Sequence, residues 1–213
     1  KGRMYVADYT EHNVLRIDPA TKAIEVFAHE PMMNQPNDLA ISPEGMLYAS
    51  DPNWAEKTGQ LWRIDSDGIV TRLMENMGTT NGIEVSPDGK KLYVNESVQR
   101  NVWVFDIQPD GSITNKILLK KFPDHGFDGM RCDTKGNLYI TRYGKGTVVV
   151  LSPAGTILRE IDVLGSKPSN LCFGGPDGRT VYVTEVEHRR LVKFRVETPG
   201  MAWKRWQSVK GSR

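Results

Sequence analysis

The 213-residue sequence predicts an all-β fold of the β-propeller class. This prediction rests on a sequence repeat and on the short strands within each repeat. A turn glycine followed three or four residues later by a tyrosine recurs five times, and successive tyrosines lie 43 to 46 residues apart. No segment keeps helical periodicity for more than about two turns. Repeats of this length that are rich in short strands are typical of propellers, with about one four-stranded blade per repeat. The tyrosines are Tyr5, Tyr48, Tyr93, Tyr139 and Tyr182.

The other strands of each predicted blade follow the tyrosine in a fixed order. A loop leads to a third apolar strand, at 14–18, 61–65, 102–106, 148–151 and 191–194. A turn and a fourth strand come next, as at 24–27, 69–73 and 156–161. A β-sandwich is the alternative, but it would have these regular turns only by coincidence. We predict one propeller domain over residues 1–200, and a C-terminal tail or closing strand over residues 201–213.

Composition narrows the classes of partner and location. The 28 Lys and Arg against 26 Asp and Glu give a net charge of +2, which does not favour a nucleic-acid or membrane-surface partner. No apolar run approaches the ~20 residues that span a bilayer, and no signal-peptide pattern follows Lys1. Cys132 and Cys172 fit neither a disulfide framework nor a metal-binding spacing. We expect two buried free thiols in a reducing, cytoplasmic compartment.

One polar position recurs at the predicted start of the first strand of each blade. Eight residues before the turn glycine, four repeats carry Asn37, Asn81, Asp128 and Asn170. Because the first strand of a blade lines the central channel, we expect these four side chains, the ring residues, to converge at one mouth. Gly82 has no side chain, so the backbone next to Asn81 adds little bulk near the axis of the channel. A plainer interpretation is that small polar residues here satisfy loop backbone groups.

The chemistry of the ring residues indicates a metal site. Amide and carboxylate oxygens are hard ligands, of the kind that Ca²⁺ and Mg²⁺ prefer. Asn170 is the weakest member, because its neighbours Ser169 and Cys172 are typical of ordinary packing. The sequence therefore predicts a divalent-cation site at Asn37, Asn81 and Asp128, with Asn170 as an additional candidate.

Four short segments, in this order and at blade spacing, resemble those of a known family. They are NQPNDL at 34–39, NGI with SPDG at 81–89, DGM with GNLY at 128–139, and CFGG at 172–175. The likeness covers about residues 2–197 and is to the senescence marker protein (regucalcin), gluconolactonase and luciferin-regenerating enzyme family. A more distant likeness is to diisopropylfluorophosphatase and paraoxonase.

The resemblance implies a six-bladed propeller of the lactonase type with one catalytic divalent cation in the channel, typically Ca²⁺ or Zn²⁺. In that family an N-terminal Glu, two Asn and one Asp hold the metal, and the last three match Asn37, Asn81 and Asp128. The family has no ligand at the position of Asn170. The sequence departs from it by showing about five repeats, the first without its inner strand, so the N-terminal blade and its Glu are missing. We expect a longer parent protein, a closing strand from the C-terminal tail, or a homo-oligomer that completes the open edge.

The loops after the second strand of each blade return to the ring end, and we expect them to form the rim of a small-molecule site. Arg142 is the most suggestive rim residue, because a guanidinium binds hydroxyls or a carboxylate. Glu185 is expected to be a solvated loop side chain, and so are the histidines, of which His125 lies nearest the predicted rim. The substrate-binding candidates are Asp51, Trp54, Glu96, Arg142 and Tyr143; the histidines are His12, His29, His125 and His188.

The ring and the resemblance together predict metal-dependent hydrolysis of sugar lactones, of the gluconolactonase kind. The cation, with Ca²⁺ as first choice and Zn²⁺, Mn²⁺ or Mg²⁺ as alternatives, would polarise the carbonyl and stabilise the oxyanion. Asp128 is the only carboxylate among the ring residues and therefore the candidate catalytic base as well as a ligand. The absence of a GxSxG motif argues against a serine hydrolase. The alternatives are a phosphotriesterase-like hydrolase, a non-catalytic metal- or ligand-binding propeller, and an interaction scaffold of the NHL or WD type.

Overall fold

The computed structural model describes residues 2–210, whose strands form five antiparallel sheets that are the blades of a propeller. Blade 1 comprises β1 (Met4–Asp8), β2 (Asn13–Ile17) and β3 (Ile24–His29). Blade 2 comprises β4 (Leu39–Ile41), β5 (Leu47–Asn53), β6 (Thr58–Ile64) and β7 (Val70–Met77). Blade 3 comprises β8 (Thr80–Val85), β9 (Lys91–Glu96), β10 (Asn101–Ile107) and β11 (Ile113–Lys121). Blade 4 comprises β12 (Met130–Cys132), β13 (Leu138–Arg142), β14 (Thr147–Leu151) and β15 (Ile157–Asp162). Blade 5 comprises β16 (Pro168–Gly174), β17 (Thr180–Glu185) and β18 (Arg190–Arg195).

Within each blade the strands pair in sequence order, which confirms the predicted all-β propeller. Blades 2, 3 and 4 have four strands and blades 1 and 5 have three. In blade 1 the tyrosine-bearing strand β1 comes first, so the described residues supply no inner strand there, as the repeat spacing predicted. The predictions of a six-bladed propeller and of an N-terminal blade missing from this sequence remain predictions.

The repeated tyrosine packs between neighbouring sheets. Tyr48, Tyr93 and Tyr139 are buried in apolar clusters to which strands of two neighbouring blades contribute. Burial raises the pKa of each phenol to about 12, because the charged form is poorly solvated there. Tyr48 donates a hydrogen bond from its hydroxyl to the Gly111 carbonyl oxygen (3.1 Å) in blade 3. The repeat that identified the fold therefore marks one packing position between sheets. Burying a whole apolar side chain there stabilises the fold by about 1.5–3 kcal/mol.

The SPDG turn joins the inner strand of blade 3 to its second strand. Asp88 accepts hydrogen bonds at Oδ1 from Ser86 Oγ (2.6 Å) and from the Lys90 amide (3.1 Å). Gly89 has φ = 76°, a left-handed conformation that glycine adopts without strain. These turns lie at the mouth of the channel opposite the ring residues, because the inner strands run from the ring to the turn.

The C-terminal segment differs from the prediction. Met201–Lys210 is an α-helix, α1, rather than a tail or a closing strand, and residues 211–213 lie outside the described part of the chain. Met201 is buried in the core, Trp203 Nε1 donates to the Gly175 carbonyl oxygen (3.0 Å), and Arg205 Nη1 donates to that of Ile41 (2.8 Å). Helix α1 therefore lies across the ends of inner strands at the mouth opposite the ring. In the described residues no helix is both long and apolar enough to cross a membrane.

Both cysteines are free, but they differ in exposure. Cys132 is buried, as predicted, whereas Cys172 is exposed, and the prediction of a buried thiol was wrong for it. Cys172 lies on β16, the inner strand of blade 5. The inner strands of blades 2, 3 and 4 each pack against that of the following blade, and the described residues place no inner strand beyond β16. The cytoplasmic location stays a prediction.

Candidate functional site

The four ring residues lie where the inner strands begin. Asn81 and Asn170 are within β8 and β16, and Asn37 and Asp128 come two residues before β4 and β12. The chain enters each of these strands through a loop, so the side chain direction depends on how that loop is held.

Asn81 presents a buried oxygen that has no partner among the described residues. Its side-chain nitrogen donates to Ser97 Oγ (3.1 Å) and to the Phe127 carbonyl oxygen (3.4 Å), which fixes the orientation of the amide. Its Oδ1 is buried and accepts no hydrogen bond. Leaving such an oxygen unpaired costs about 1–3 kcal/mol, so the atom is suited to a ligand rather than to packing.

Asp128 is the carboxylate in hydrogen-bond contact with the Asn81 side chain. Burial raises the pKa of the Asp128 carboxyl to about 7, and the negative charge of Asp38 acts in the same direction, whereas a hydrogen bond from Asn81 lowers it. A carboxyl group with a pKa near neutrality can take up and release a proton at ordinary pH.

The backbone at Asp128 is held by three donors from blade 3. The Asp128 carbonyl oxygen accepts from the Gly82 amide (3.1 Å) and from Asn95 Nδ2 (2.8 Å), and Ser97 Oγ donates to the carbonyl oxygen of Phe127. Asn95 also has a buried Oδ1 without a partner in the described residues. The sequence pattern does not distinguish Asn95 from other residues of a second strand, so its role appears only in the fold.

The other two ring residues are less closely tied to this pair. Asn37 is half-buried, and its amide donates to the Ser50 carbonyl oxygen (2.9 Å) on β5. Asn170 packs against Gly129, where an added Cβ would lie 2.2 Å from Asn170 Oδ1. That same oxygen accepts a hydrogen bond from the Leu171 amide (2.8 Å), so Asn170, unlike Asn81, already has a partner for it.

The structure places two predicted rim carboxylates inside the protein. Asp51 is fully buried and accepts hydrogen bonds from the amides of Asn34 (2.8 Å) and Gln35 (2.6 Å), in the loop that leads to Asn37. Glu96 is buried and accepts from the Gly78 amide (2.7 Å), in the loop that leads to Asn81. Both carboxylates hold the chain that precedes a ring residue.

Arg142 and Glu185 hold the corresponding loops of blades 4 and 5. The Arg142 side chain is 1% exposed, and its guanidinium lies 4.2 Å from the ring centroid of Phe122. Its Nη2 donates to the carbonyl oxygen (2.6 Å) and the carboxylate (2.8 Å) of Asp124, which precedes Asp128. Glu185 is buried, not solvated as expected. It accepts from the amide of Lys167 (3.4 Å), in the loop that leads to Asn170, and from those of Glu187 (2.9 Å) and His188 (2.9 Å) in the loop after β17.

Trp54 and Tyr143 are the predicted rim residues whose side chains reach solvent. They are 37% and 38% exposed and follow Asp51 and Arg142 in the chain. His29, His125 and His188 are exposed, as expected, and His12 is half-buried. Among the described residues Glu185, Glu187 and His188 also form a group that could hold a metal, but both oxygens of Glu185 already accept hydrogen bonds within the group.

A second charged group, which the sequence analysis missed, lies one step deeper in the channel. Asp38 is 7% exposed and forms a two-point ion pair with Arg131, whose Nη1 and Nη2 lie 2.9 and 3.0 Å from its oxygens. Glu84 is buried, and burial raises the pKa of its carboxyl to about 7, with the positive charge of Arg131 opposing that rise. Glu84 and Arg131 each follow their ring residue by three positions, a phase that the sequence alone could have shown.

Comparison with known proteins identifies relatives of this chain. Residues 1–187 match the family model described as SMP-30/Gluconolactonase/LRE-like region. A gluconolactonase of Zymomonas mobilis is 29% identical over 224 residues, which cover 93% of this chain and 62% of that protein. Regucalcin of Sus scrofa is 31% identical over 164 residues, covering 71% of this chain and 54% of that protein. The chain thus spans a little more than half of the length of these curated relatives.

Solved structures share the fold. A calcium-binding regucalcin from Agrobacterium tumefaciens superposes with a TM-score of 0.82 at 22% identity, over 94% of this chain and 74% of that one. A luciferin-regenerating enzyme gives a TM-score of 0.80 at 21% identity, over 93% of this chain and 76% of that one. At these identities the likeness supports the propeller architecture alone.

Proposed function

The chain belongs to the SMP-30/gluconolactonase/LRE-like family, and on that premise we propose that it is a divalent-metal-dependent lactone hydrolase acting at the ring residues. Its relatives include proteins named gluconolactonase, pentonolactonase and 6-deoxy-6-sulfogluconolactonase. We therefore propose a sugar lactone as the substrate class.

The unpaired Oδ1 of Asn81 beside the Asp128 carboxyl is the observation that carries the proposal. The side chains of Asn81 and Asp128 are in hydrogen-bond contact across adjacent blades and offer one neutral and one anionic oxygen donor of the hard type. Asn37 stands at the matching position of blade 2. This donor set fits a divalent cation that prefers oxygen, with Ca²⁺ as first choice and Zn²⁺, Mn²⁺ or Mg²⁺ as alternatives. We assign Asn37, Asn81 and Asp128 as its ligands on this chain.

A bound cation supplies a Lewis acid that polarises the lactone carbonyl and stabilises negative charge on its oxygen. Asp128, the only carboxylate among the ring residues, accepts a proton from the attacking water. The water oxygen forms a bond to the carbonyl carbon, the ring C–O bond breaks, and the proton passes to the departing alkoxide oxygen. The product is a hydroxy acid.

The rest of the site positions these groups. Asn95 and Gly82 hold the backbone of Asp128, and the Phe127 carbonyl oxygen fixes the amide of Asn81. Trp54 and Tyr143 are the exposed rim side chains, and we propose that they contact the substrate. Asp51, Glu96 and Arg142 act on substrate binding through the loops that they hold, because their own polar groups are engaged inside the protein.

A second candidate function is hydrolysis of phosphorus esters. A relative named diisopropyl-fluorophosphatase, from Loligo vulgaris, is 30% identical over 183 residues, which cover 77% of this chain and 58% of that protein. The same oxygen ligands would serve a phosphoryl oxygen as well as a carbonyl oxygen. A non-catalytic cation-binding propeller is the third candidate.

Turnover measurements on metal-stripped protein separate these candidates. The protein is assayed with δ-gluconolactone and with diisopropyl fluorophosphate, before and after Ca²⁺, Zn²⁺, Mn²⁺ or Mg²⁺ is restored. Asp128→Asn tests the ring, and Asp110→Asn, in an exposed turn of blade 3, is the matched control. We expect cation-dependent lactone turnover that Asp128→Asn abolishes and Asp110→Asn retains; turnover of the phosphorus ester alone, or cation binding without turnover, would support the other candidates.

A further inference from the structure

The ion pair of Asp38 and Arg131 joins the entrances of two inner strands directly beneath the ring. Asp38 follows Asn37 in blade 2, and Arg131 belongs to β12 in blade 4. The planar guanidinium meets both carboxylate oxygens, at 2.9 and 3.0 Å, which is the two-point geometry that only arginine provides. The pair is therefore fixed in the channel rather than fluctuating at the surface.

The charges that face one another in the channel come from all three central blades. Blade 2 contributes Asp38, blade 3 contributes Glu84, and blade 4 contributes Asp128 and Arg131. Blade 5 contributes the exposed thiol of Cys172, which lies on the inner strand β16. Arg131 is the only cation of this group among the described residues, and its partner Asp38 directly follows the ring residue Asn37.

We propose that Arg131 is the countercation of the channel: by neutralising Asp38 it limits the negative charge beneath the ring, and so sets how tightly the site binds a divalent cation. This inference rests on the proposed function, because it assigns the cation to Asn81 and Asp128. Without Arg131, the uncompensated Asp38 carboxylate would stand one residue from Asn37 and attract a cation more strongly. Arg131 thus acts on the metal through Asp38 and is a positioning and tuning residue, not a catalytic one.

The strands do not depend on Arg131 for their register. The Asp38 carboxylate also accepts hydrogen bonds from the amides of Leu39 (2.9 Å) and Ile83 (3.4 Å). Glu84 accepts from the amides of Val85 (2.9 Å) and Cys132 (3.2 Å), which ties blade 3 to blade 4. Removing the guanidinium charge therefore changes the electrostatics of the channel more than its geometry.

Isothermal titration of the metal-stripped protein with Ca²⁺ at pH 8 tests the inference without reference to turnover. We expect Arg131→Met to tighten cation binding on the order of tenfold. Asp38→Asn removes the two-point carboxylate partner of Arg131 and should weaken binding by a similar factor. The double variant should return close to the wild-type affinity, because it restores the charge balance. Arg195→Met removes the same charge from an exposed pair with Asp177 in blade 5 and should leave the affinity unchanged.

The signs of these effects separate tuning from a scaffold role. If Arg131→Met and Asp38→Asn both weaken binding, Arg131 serves the structure and the inference is wrong. Arg131→Lys keeps the charge but loses the two-point contact; it should bind Ca²⁺ within about twofold of the wild type, and tightening as large as that of Arg131→Met would also overturn the inference. If the wild-type protein binds no divalent cation, the proposed function fails together with this inference, whereas a wrong sign in the variants leaves the proposed function intact.

Discussion

Arg142 donates a hydrogen bond from Nη2 to the carbonyl oxygen of Asp124 at 2.6 Å, and so holds the loop that leads to Asp128. In the other blades a carboxylate holds the corresponding loop by accepting a backbone N–H group of that loop. Asp51 accepts from Gln35 in blade 2, Glu96 from Gly78 in blade 3, and Glu185 from Lys167 in blade 5. Blade 4 achieves the same connection with the charge reversed. Four buried charged side chains at the ends of second strands thus set the entrances to the four inner strands.

Arg142→Lys tests this role. The lysine loses the contact with the Phe122 and Phe127 rings and part of the hydrogen bonding to Asp124, so we expect unfolding free energy to fall by about 2 kcal/mol. Urea denaturation measures the change. Tyr143→Phe, an exposed neighbour, is the control and should leave stability unchanged; if Arg142→Lys raised KM at full stability, direct substrate contact would be the better account.

Gly82→Ala should disturb the site by steric contact with blade 4 and with Asn95. A Cβ on Gly82 would lie 2.5 Å from the Asp128 carbonyl oxygen and 2.9 Å from the Met130 amide nitrogen, so the two inner strands must separate. We expect a loss of about 3 kcal/mol of stability together with weaker cation binding. Gly45→Ala is the control: no atom lies within 4 Å of its Cβ, and only backbone strain of about 1–2 kcal/mol at φ = 96° applies. Equal effects of the two substitutions would contradict the close approach.

The carboxyl of Glu84 makes stability depend on pH. Its pKa is raised from 4.5 to about 7, so the folded state holds the proton more strongly than the unfolded chain does. The resulting stabilisation is complete below about pH 4.5 and is lost as pH rises to about 7, by on the order of 3 kcal/mol. Asp128, whose carboxyl pKa is also raised, acts in the same direction.

Glu84→Gln isolates the first of these contributions. Urea denaturation of both proteins at pH 5 and pH 7.5 should show a smaller loss of stability across this interval in the variant. The comparison is made on metal-stripped protein, so that cation binding does not mask the effect of protonation on stability. Identical losses in the two proteins would show that Glu84 does not hold its proton in the folded state.

Cation binding should appear in thermal stability. A ligand that binds only the folded state stabilises it by RT ln(1 + [L]/Kd), or about 2.7 kcal/mol at a hundredfold excess over Kd. We therefore expect added Ca²⁺ to raise the Tm of stripped wild-type protein by several degrees and to leave Asp128→Asn unchanged. Glu187→Gln is the control for the alternative group of Glu185, Glu187 and His188. If Glu187→Gln abolished the rise in Tm and Asp128→Asn did not, the metal site would lie in blade 5.

The sequence predicted the blades because each tyrosine repeat marks the same packing position between sheets. It also predicted where the ring residues would stand, since eight residues before a turn glycine is the length of one inner strand and its entrance. Neither result needs knowledge of long-range contacts, because both follow from the regular spacing of strands and turns.

The burial of Asp51, Glu96 and Arg142 could not be predicted in the same way. A charged residue at the end of a strand resembles a rim residue, and its partners are loop groups 16 to 18 residues away that only the fold brings near. Helix α1 was missed for a related reason. Its sequence has no acidic residue in the first turn and little amphipathic pattern, and contacts of Met201, Trp203 and Arg205 with the propeller hold it.

Anomalous diffraction from crystals of the protein soaked in Ca²⁺ tests the central claim most directly. The account predicts a single strong peak at the ring mouth of the channel, about 2.3–2.6 Å from Asn81 Oδ1 and from a carboxylate oxygen of Asp128. A peak at Glu185, Glu187 and His188 with none at the ring, or no peak at any protein oxygen, would contradict it.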